Sequence, residues 1–195
     1  MSPVAEDTIV SYVNASVQDF LVEDVRIVLK QSPLVRPQTT GGMPMRVRVS
    51  AAGRLGWVGD GEYRYDPVDS RGNAWPSMPL RWAHIADEAA GVHPWDSAII
   101  NWYDEDASLG WHQDKGEQDQ SLPIVTISLG DAASWAIRRD ADSPITRTKL
   151  GSGAVTLLAG ETRGHYHTIE RIIPEPLFSP LKTRGRISIT IRVAG

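Results

Sequence analysis

The sequence contains no cysteine among its 195 residues. Disulfide bonds and thiolate metal sites are therefore excluded, and any metal has to be bound by imidazole and carboxylate groups. The sequence also lacks a run of about 18 apolar residues and a charged-then-apolar leader, so neither a membrane span nor a secretion signal is predicted. We expect a single cytoplasmic domain over 1–195, large enough to bury roughly 70% of its unfolded surface.

An excess of positive charge is missing as well. The formal net charge is −4, whereas proteins that bind duplex nucleic acid usually carry a basic surface. Sixteen of the 20 basic residues are arginines, and six of these share one segment: Arg46, Arg48, Arg54, Arg64, Arg71 and Arg81. Four acidic residues partly offset their charge, namely Asp60, Glu62, Asp66 and Asp69. The sequence therefore predicts at most a local basic rim and a modest, salt-sensitive affinity for nucleic acid.

The N-terminal half gives few structural signals. One helix is predicted over 17–30, ended by Pro33, within an otherwise uninformative stretch of 40 residues. Residues 45–49 alternate like a strand, and the four glycines between 53 and 61 predict that loops follow it. A second helix is predicted over 79–90, where apolar residues recur at helical spacing before Gly91.

The C-terminal half consists of short apolar segments separated by glycine, proline and aspartate. These segments predict six strands, over 98–103, 123–129, 134–139, 153–158, 165–170 and 186–193. Regularly spaced short strands with turn signals are typical of a β-sandwich or a barrel. The predicted fold class is therefore mainly β with flanking helices.

The last of these strands alternates strictly between polar and β-branched residues. One face carries Arg186, Ser188, Thr190 and Arg192, and the other carries isoleucines and a valine. Two arginines on one strand face usually indicate a solvated surface. If this face points into a barrel instead, both guanidinium groups can bind a small dicarboxylate. Periodicity alone leaves both interpretations open.

The motif His112-Gln113-Asp114 is followed far downstream by a lone histidine, His167. Two histidines and one carboxylate can occupy one face of an iron ion and leave the opposite face open, as in the facial triad of non-heme Fe(II) oxygenases. A His-x-Asp pair alone is a weak signal, because a surface turn explains it equally well. Its interpretation depends on the segments around it.

Four segments resemble the AlkB-type Fe(II)/2-oxoglutarate dioxygenases, which repair alkylated nucleobases. They are residues 100–103, 109–115, 123–130 and 186–192, and their order and spacing match the family, as do residues 160–163 ahead of Tyr166-His167. The likeness extends from about Gly41 to the C-terminus. It implies a double-stranded β-helix, or jelly roll, over 98–195, a nucleotide-recognition lid over 41–80 and an N-terminal extension over 1–40.

The resemblance also implies the site residues. His112, Asp114 and His167 are expected to bind Fe(II), with O2 as co-substrate. The expected 2-oxoglutarate pocket is formed by Asn101, Tyr103, Arg186, Ser188 and Arg192, with Arg186 at the distal carboxylate. The expected contacts to the base come from Met45, Trp57, Tyr63, His112 and Arg138. The implied reaction forms succinate and CO2 while it hydroxylates an N-alkyl carbon, which then leaves as an aldehyde.

Two positions depart from the family pattern. Gly116 stands where an acid contacts the exocyclic amine of the base, which leaves the preference between adenine and cytosine open. Ser188 stands where an asparagine commonly touches the cofactor. Trp57 has an alternative role as a loop anchor, since the chain has seven tryptophans.

The expected substrate is alkylated DNA or RNA, bound by a monomer with no membrane partner. One alternative is an oxygenase of the same fold that acts on a protein or a small molecule. Another is a cupin-like binding module with a structural metal and no turnover. The pair Arg186 and Arg192 argues against this module, because a structural metal site does not need an anchor for a dicarboxylate.

Overall fold

A computed structural model describes residues 8–39, 41–175 and 179–195. Within these ranges the chain forms helices α1 (Ala15–Gln31) and α2 (Leu80–Ala90), a 3-10 helix (Gly160–Gly164) and twelve strands. The strands are β1 (Ile9–Tyr12), β2 (Arg48–Gly53), β3 (Gly56–Gly59), β4 (Tyr63–Asp66), β5 (Ser97–Tyr103), β6 (Leu109–His112), β7 (Ile124–Gly130), β8 (Ala132–Arg138), β9 (Thr146–Leu150), β10 (Ala154–Leu158), β11 (Tyr166–Ile173) and β12 (Arg186–Arg192). Among the described residues, neither α-helix combines the length and the apolarity that crossing a membrane requires.

Two antiparallel sheets pack face to face. The large sheet has the order β1-β10-β7-β12-β5-β2, and the small sheet has the order β6-β11-β8-β9. Side chains from both sheets form one apolar layer between them, for example Val49 and Ile124 from the large sheet with Trp135 and Ile137 from the small one. This arrangement confirms the predicted mainly-β fold class with a jelly-roll core.

The two helices cover the outer face of the large sheet. Leu21 and Val25 of α1 and Trp82 of α2 are fully or almost fully buried against the isoleucines of β12. Helix α1 begins two residues before its predicted start, because the Asn14 side chain accepts a hydrogen bond from the Val17 amide and caps it. The helix layer makes the large sheet a middle layer, with both faces buried.

This layering settles the orientation of β12. Its isoleucines face the helices, so Arg186, Ser188, Thr190 and Arg192 face the small sheet, and all seven residues of the strand are buried. The solvated-surface interpretation of the two arginines is therefore wrong. In a strand that is buried on both faces, alternation does not distinguish a buried face from a solvent-exposed one. Here it distinguishes a face that packs on apolar helices from a face that lines a polar interior.

The glycine-rich segment, predicted as loops, forms a hairpin of β3 and β4, hereafter the hairpin. Its glycines are needed for close packing. A side chain at Gly56 would overlap the Trp75 ring, and one at Gly59 would overlap the Trp57 ring. The strand predicted over 45–49 is also shifted, since β2 begins at Arg48, runs to Gly53 and joins the large sheet through β5.

Candidate active site

A cavity of about 250 Å³ lies between the two sheets. Strands β5, β7, β10 and β12 of the large sheet form one wall, β6, β8 and β11 of the small sheet form the other, and the hairpin completes the lining. All of the predicted site residues except Arg138 line this cavity. The interior of the jelly roll thus collects residues that are up to about 150 positions apart in the sequence.

Strand pairing brings the three predicted metal ligands together. His112 ends β6, and His167 lies directly opposite it on β11 in the antiparallel register. The two imidazole rings are 4.3 Å apart between centroids, and Asp114 Oδ2 lies 3.7 Å from His167 Nε2. One ligand atom from each of the three side chains falls within 4.8 Å of the others. This spacing suits a single metal ion held from one side.

The backbone orients both imidazole rings. His112 Nδ1 lies 2.9 Å from the Gly110 carbonyl oxygen, and His167 Nδ1 lies 3.2 Å from the His165 carbonyl oxygen. A carbonyl accepts hydrogen bonds only, so each Nδ1 carries the proton and each Nε2 keeps a lone pair for a metal. The carbonyls therefore fix the tautomer that metal binding needs.

The charges in the cluster also favour a metal. Burial, together with the neighbouring His112, lowers the pKa of His167 to about 4, so this imidazole is neutral at pH 7. Burial alone would raise the pKa of Asp114, but Arg192, His167 and His112 hold it well below its usual range. The cluster therefore combines a neutral His167 imidazole and an ionised Asp114 carboxylate with the His112 imidazole, and two imidazoles with one carboxylate are a donor set that suits Fe(II).

Arg186 is a buried cation without a carboxylate partner among the described residues. It is 1% exposed, and its pKa is lowered to about 10 by burial. Its Nη2 donates to Ser128 Oγ at 2.6 Å, and Nη1 donates only to backbone carbonyls. Nε is buried and has no hydrogen-bond partner in the part of the chain that the structure describes. Because an isolated buried charge is costly, this site suits an anionic ligand.

Unlike Arg186, Arg192 is paired with acidic groups, although it lies on the same strand face six residues further along the chain. Its Nη1 lies 2.6 Å from Glu117 Oε1 and 3.4 Å from Asp114 Oδ1, and it also donates to the Tyr65 hydroxyl at 2.8 Å. Burial alone would lower the pKa of Arg192, but Asp114, Tyr65 and Glu117 raise it above its usual range. The arginine thus carries its charge beside a predicted metal ligand.

Polar side chains on β5 and β12 lie between these two arginines. Asn101 and Ser188 are direct partners in the β5–β12 register, with Asn101 Nδ2 3.4 Å from Ser188 Oγ. Tyr103 is the register partner of Arg186 and is 2% exposed. Hydroxyl and amide groups at this depth provide hydrogen bonds that a small carboxylic acid needs.

Aromatic side chains of the hairpin form the opposite end of the cavity. Trp57 and Tyr63 have ring centroids 5.2 Å apart, and Tyr63 is 48% exposed. Met45 joins them in the lining. Trp57 also lines a second cavity of about 280 Å³, together with other hairpin residues and residues 32–38. The indole therefore contributes to both cavities, and its packing in the second does not exclude a role toward the first.

Arg138 lies outside the cavity lining. Its guanidinium lies over the Trp111 ring, 4.4 Å from the centroid, and Nη1 donates to the Ala141 carbonyl at 3.0 Å. Its predicted contact with a base stays a prediction, and any such contact has to form at the rim of the site.

The acid that is missing at position 116 is not replaced by its neighbour. Gly116 has a φ of +113°, which disfavours a side chain, and the Tyr65 ring fills the space beside it. Glu117 is 5% exposed and accepts hydrogen bonds from Arg192, Arg163 and Tyr65. Its carboxylate is thus committed to internal partners.

Sequence reasoning missed Tyr65 as a cavity residue. A signal existed, because Tyr63 and Tyr65 are two residues apart and therefore share a strand face. The loop interpretation of the glycines concealed that periodicity. Nothing local predicts the contacts of Tyr65 with Glu117 and Arg192, which are 52 and 127 residues away along the chain.

The predicted basic rim is largely neutralised. Five of the six arginines in the basic segment form ion pairs with aspartates, in the pairs Arg48–Asp104, Arg54–Asp96, Arg64–Asp60, Arg71–Asp69 and Arg81–Asp24. Among the described residues, Arg46 donates to the Asp106 backbone carbonyl alone. Any attraction of nucleic acid to this surface is therefore weak at long range.

Comparisons with known proteins agree with this geometry. The 2OG-Fe(II) oxygenase superfamily matches residues 9–192. The "Alpha-ketoglutarate-dependent dioxygenase AlkB homolog" of Caulobacter vibrioides is 38% identical over 189 residues, covering 92% of this chain and 83% of the relative. The "Alpha-ketoglutarate-dependent dioxygenase AlkB" of Escherichia coli is 35% identical over 185 residues, covering 90% and 84%. Among solved structures, OsALKBH1 has a TM-score of 0.81 at 22% identity and covers 94% of both chains, which shows the fold alone.

Proposed function

Because this chain belongs to the 2OG-Fe(II) oxygenase superfamily and is an AlkB-like member of it, we propose that it removes alkyl groups oxidatively from base nitrogens in DNA or RNA. The observation that carries the proposal is the content of one cavity. It holds a metal triad, a buried cation without a carboxylate partner among the described residues, and an aromatic wall. A single chain provides all of these groups, which supports action as a monomer.

His112, Asp114 and His167 fit Fe(II), and Arg186 fits the distal carboxylate of 2-oxoglutarate. Bound there, iron and 2-oxoglutarate would supply, with O2, the oxidising power to hydroxylate an N-alkyl carbon, with succinate and CO2 as co-products. Arg186 fixes the depth of the cofactor, since its Nε is buried without a hydrogen-bond partner among the described residues. Arg192, Asn101, Tyr103 and Ser188 complete the pocket and exclude water from it.

The hairpin end suits a flipped base. A base extruded from its stack needs an aromatic or apolar surface, and Trp57 provides one on the cavity side. His112, a member of the metal cluster, lines the same cavity as Trp57, so the N-alkyl group of a base stacked on Trp57 would lie near the metal. Hydroxylation there gives an N-hydroxymethyl group. When its C–N bond breaks, the hydroxyl proton passes to the base nitrogen and formaldehyde leaves.

The test is a panel of single- and double-stranded DNA and RNA oligonucleotides carrying N-methyladenine or N-methylcytosine. With Fe(II), 2-oxoglutarate and O2, we expect equal amounts of succinate, formaldehyde and demethylated base from at least one of them. No demethylation of any oligonucleotide, despite tight binding of 2-oxoglutarate, would contradict the nucleic-acid substrate but not the oxygenase chemistry.

Two observations favour a second candidate, an oxygenase of the same fold acting on a protein or a small molecule. Position 116 carries no acid to read an exocyclic amine, and five of the six arginines of the predicted rim are already paired with aspartates. The same panel separates the two candidates. A cupin-like module without turnover is disfavoured, because a structural metal site does not need the free cation of Arg186.

A further inference from the structure

The Tyr65 hydroxyl lies within one hydrogen-bonded group near the metal cluster. It accepts a hydrogen bond from Arg192 Nη1 at 2.8 Å and donates one to Glu117 Oε1 at 3.0 Å. Burial raises the pKa of Tyr65, so the hydroxyl stays protonated at neutral pH and remains a donor. Arg192 in turn lies 3.4 Å from Asp114 Oδ1. One tyrosine hydroxyl therefore helps to set the position of the arginine beside a metal ligand.

The ring of Tyr65 lines the cavity at the hairpin, where the base is proposed to stack; this part of the cavity is called the base end. Tyr65 lies directly opposite Trp57 in the β3–β4 register, so both side chains project from one face of the hairpin. Its ring passes beside Gly116, where an added Cβ would lie 3.5 Å from Tyr65 Cε2. Tyr65 thus lies on the strand pair that carries Trp57 and also forms a hydrogen bond with Arg192.

The other two groups beside Arg192, Glu117 and Asp114, do not belong to the hairpin, although Glu117 accepts a hydrogen bond from Tyr65. Glu117 is held from its far side by Arg163, which also donates to the Asp114 backbone carbonyl. Arg192 Nε is buried without a hydrogen-bond partner among the described residues, so that side of the guanidinium stays available to a ligand. Of the three groups that contact Arg192 Nη1, Tyr65 alone belongs to the hairpin.

We propose that Tyr65 is a positioning residue that couples the two ends of the cavity, so that a base on the hairpin and 2-oxoglutarate at Arg192 strengthen each other's binding. The inference rests on the proposed function, because it requires 2-oxoglutarate to contact Arg192. A base stacked on Trp57 restricts the hairpin, and with it the Tyr65 hydroxyl. A fixed hydroxyl holds Arg192 in the orientation that binds 2-oxoglutarate. Less conformational entropy is then lost when 2-oxoglutarate binds.

Thermodynamic linkage requires the effects of the two ligands on each other's affinity to be equal. If the oligonucleotide tightens 2-oxoglutarate binding by some factor, then 2-oxoglutarate tightens oligonucleotide binding by the same factor. One buried hydrogen bond of this kind supports a factor of about two to ten. We expect Tyr65→Phe, which keeps the ring and removes the hydroxyl, to bring this factor close to one.

The experiment uses the iron-loaded protein without O2, so that no turnover occurs. The Kd of 2-oxoglutarate is measured from the visible absorption of its Fe(II) complex, with and without saturating methylated single-stranded oligonucleotide. The Kd of the oligonucleotide is measured by fluorescence anisotropy, with and without 2-oxoglutarate. Tyr12→Phe is the matched control, because Tyr12 is an exposed tyrosine on β1, at the edge of the large sheet.

A loss of coupling in Tyr65→Phe but not in Tyr12→Phe supports the proposal, because a purely structural role would lower the melting temperature without changing the ratio of the two Kd values. Unchanged coupling in Tyr65→Phe, or no coupling in the wild type, overturns it and leaves the proposed function intact. No binding of 2-oxoglutarate by the wild type overturns both. If Tyr65→Phe does not fold, Glu117→Gln weakens the acceptor that orients both the Tyr65 hydroxyl and Arg192, so the coupling should also fall in that variant. Unchanged coupling in that variant also overturns the proposal.

Discussion

The proposed cofactor end of the cavity, at Arg186 and Tyr103, is made of side chains on central strands, whereas the proposed base end, at Trp57 and Tyr63, rests on the two-stranded hairpin. Arg186 and Tyr103 are 1% and 2% exposed, while Tyr63 on the hairpin is 48% exposed. The cofactor end holds charged and polar groups at fixed depth between two sheets. The base end offers aromatic surface beside solvent. This contrast suits a small co-substrate that binds in the same way in every cycle and a larger substrate that binds beside solvent.

The two arginines of β12 show the same contrast within one strand. Arg186 donates to backbone carbonyls and Ser128 and forms no ion pair among the described residues, while Arg192 lies close to both Glu117 and Asp114. The first is poised to bind an anion from outside the protein. The second is already neutralised, and its position matters more than its charge.

The largest expected effect comes from the metal ligands. Replacing His112, Asp114 or His167 by alanine leaves two protein ligands, so iron is poorly held and turnover should fall below detection. Iron content and succinate formation are the measurements. A chelator should abolish wild-type activity and added Fe(II) should restore it. Full activity in Asp114→Ala would contradict the assignment of the triad.

The next largest effect is expected at the cofactor end. Arg186→Ala removes a charge-assisted partner of the distal carboxylate, worth about 1.5 to 3 kcal/mol, so the KM for 2-oxoglutarate should rise at least roughly tenfold. Arg147→Ala is the control, since Arg147 is an exposed arginine paired with Glu170 away from the cavity. An unchanged KM in Arg186→Ala would show that 2-oxoglutarate binds elsewhere.

A smaller effect is expected at the base end. Trp57→Ala should weaken binding of a methylated oligonucleotide by about 1 to 3 kcal/mol, the usual contribution of one stacked base. Trp57→Phe keeps an aromatic face and should recover part of the loss. Binding of 2-oxoglutarate is the internal check. If Trp57→Ala loses both ligands together with its melting temperature, Trp57 supports the fold, as its packing in the second cavity allows.

The smallest effect is expected on the outer surface of the hairpin. Arg64 already pairs with Asp60 and Asp66 at the surface, and such pairs contribute about 0 to 1 kcal/mol. We therefore expect Arg64→Ala to change oligonucleotide affinity less than about twofold at moderate salt. A large loss that disappears at high salt would mean that Arg64 leaves its aspartates to bind phosphate.

Much of the fold was predictable because local patterns agree with it. The alternation of β12 and the strand of His167 both match the structure closely, and so does the helix that Pro33 ends. The face that β12 turns inward was not predictable from alternation, because helices bury its other face. The hairpin was missed because its glycines, which usually interrupt strands, here make room for the rings of Trp57 and Trp75.

The candidate site divides in the same way. The triad and the β12 arginines lie in segments with a recognisable pattern, so the sequence predicts that they belong together. The hydrogen-bonded group of Tyr65, Glu117 and Arg192 depends on contacts between distant segments, and no local pattern encodes it. Arg138 shows the reverse case, since the resemblance places it at the base while its guanidinium packs on Trp111.

The claim that the two ends of the cavity bind different ligands is tested most directly by measuring the affinity of both ligands in variants of each end. The Kd of 2-oxoglutarate and the Kd of a methylated oligonucleotide are each measured without the other ligand, in the wild type, Arg186→Ala and Trp57→Ala. We predict that Arg186→Ala weakens only 2-oxoglutarate and that Trp57→Ala weakens only the oligonucleotide. Both variants weakening both ligands, or Arg186→Ala binding 2-oxoglutarate as the wild type does, would contradict the account.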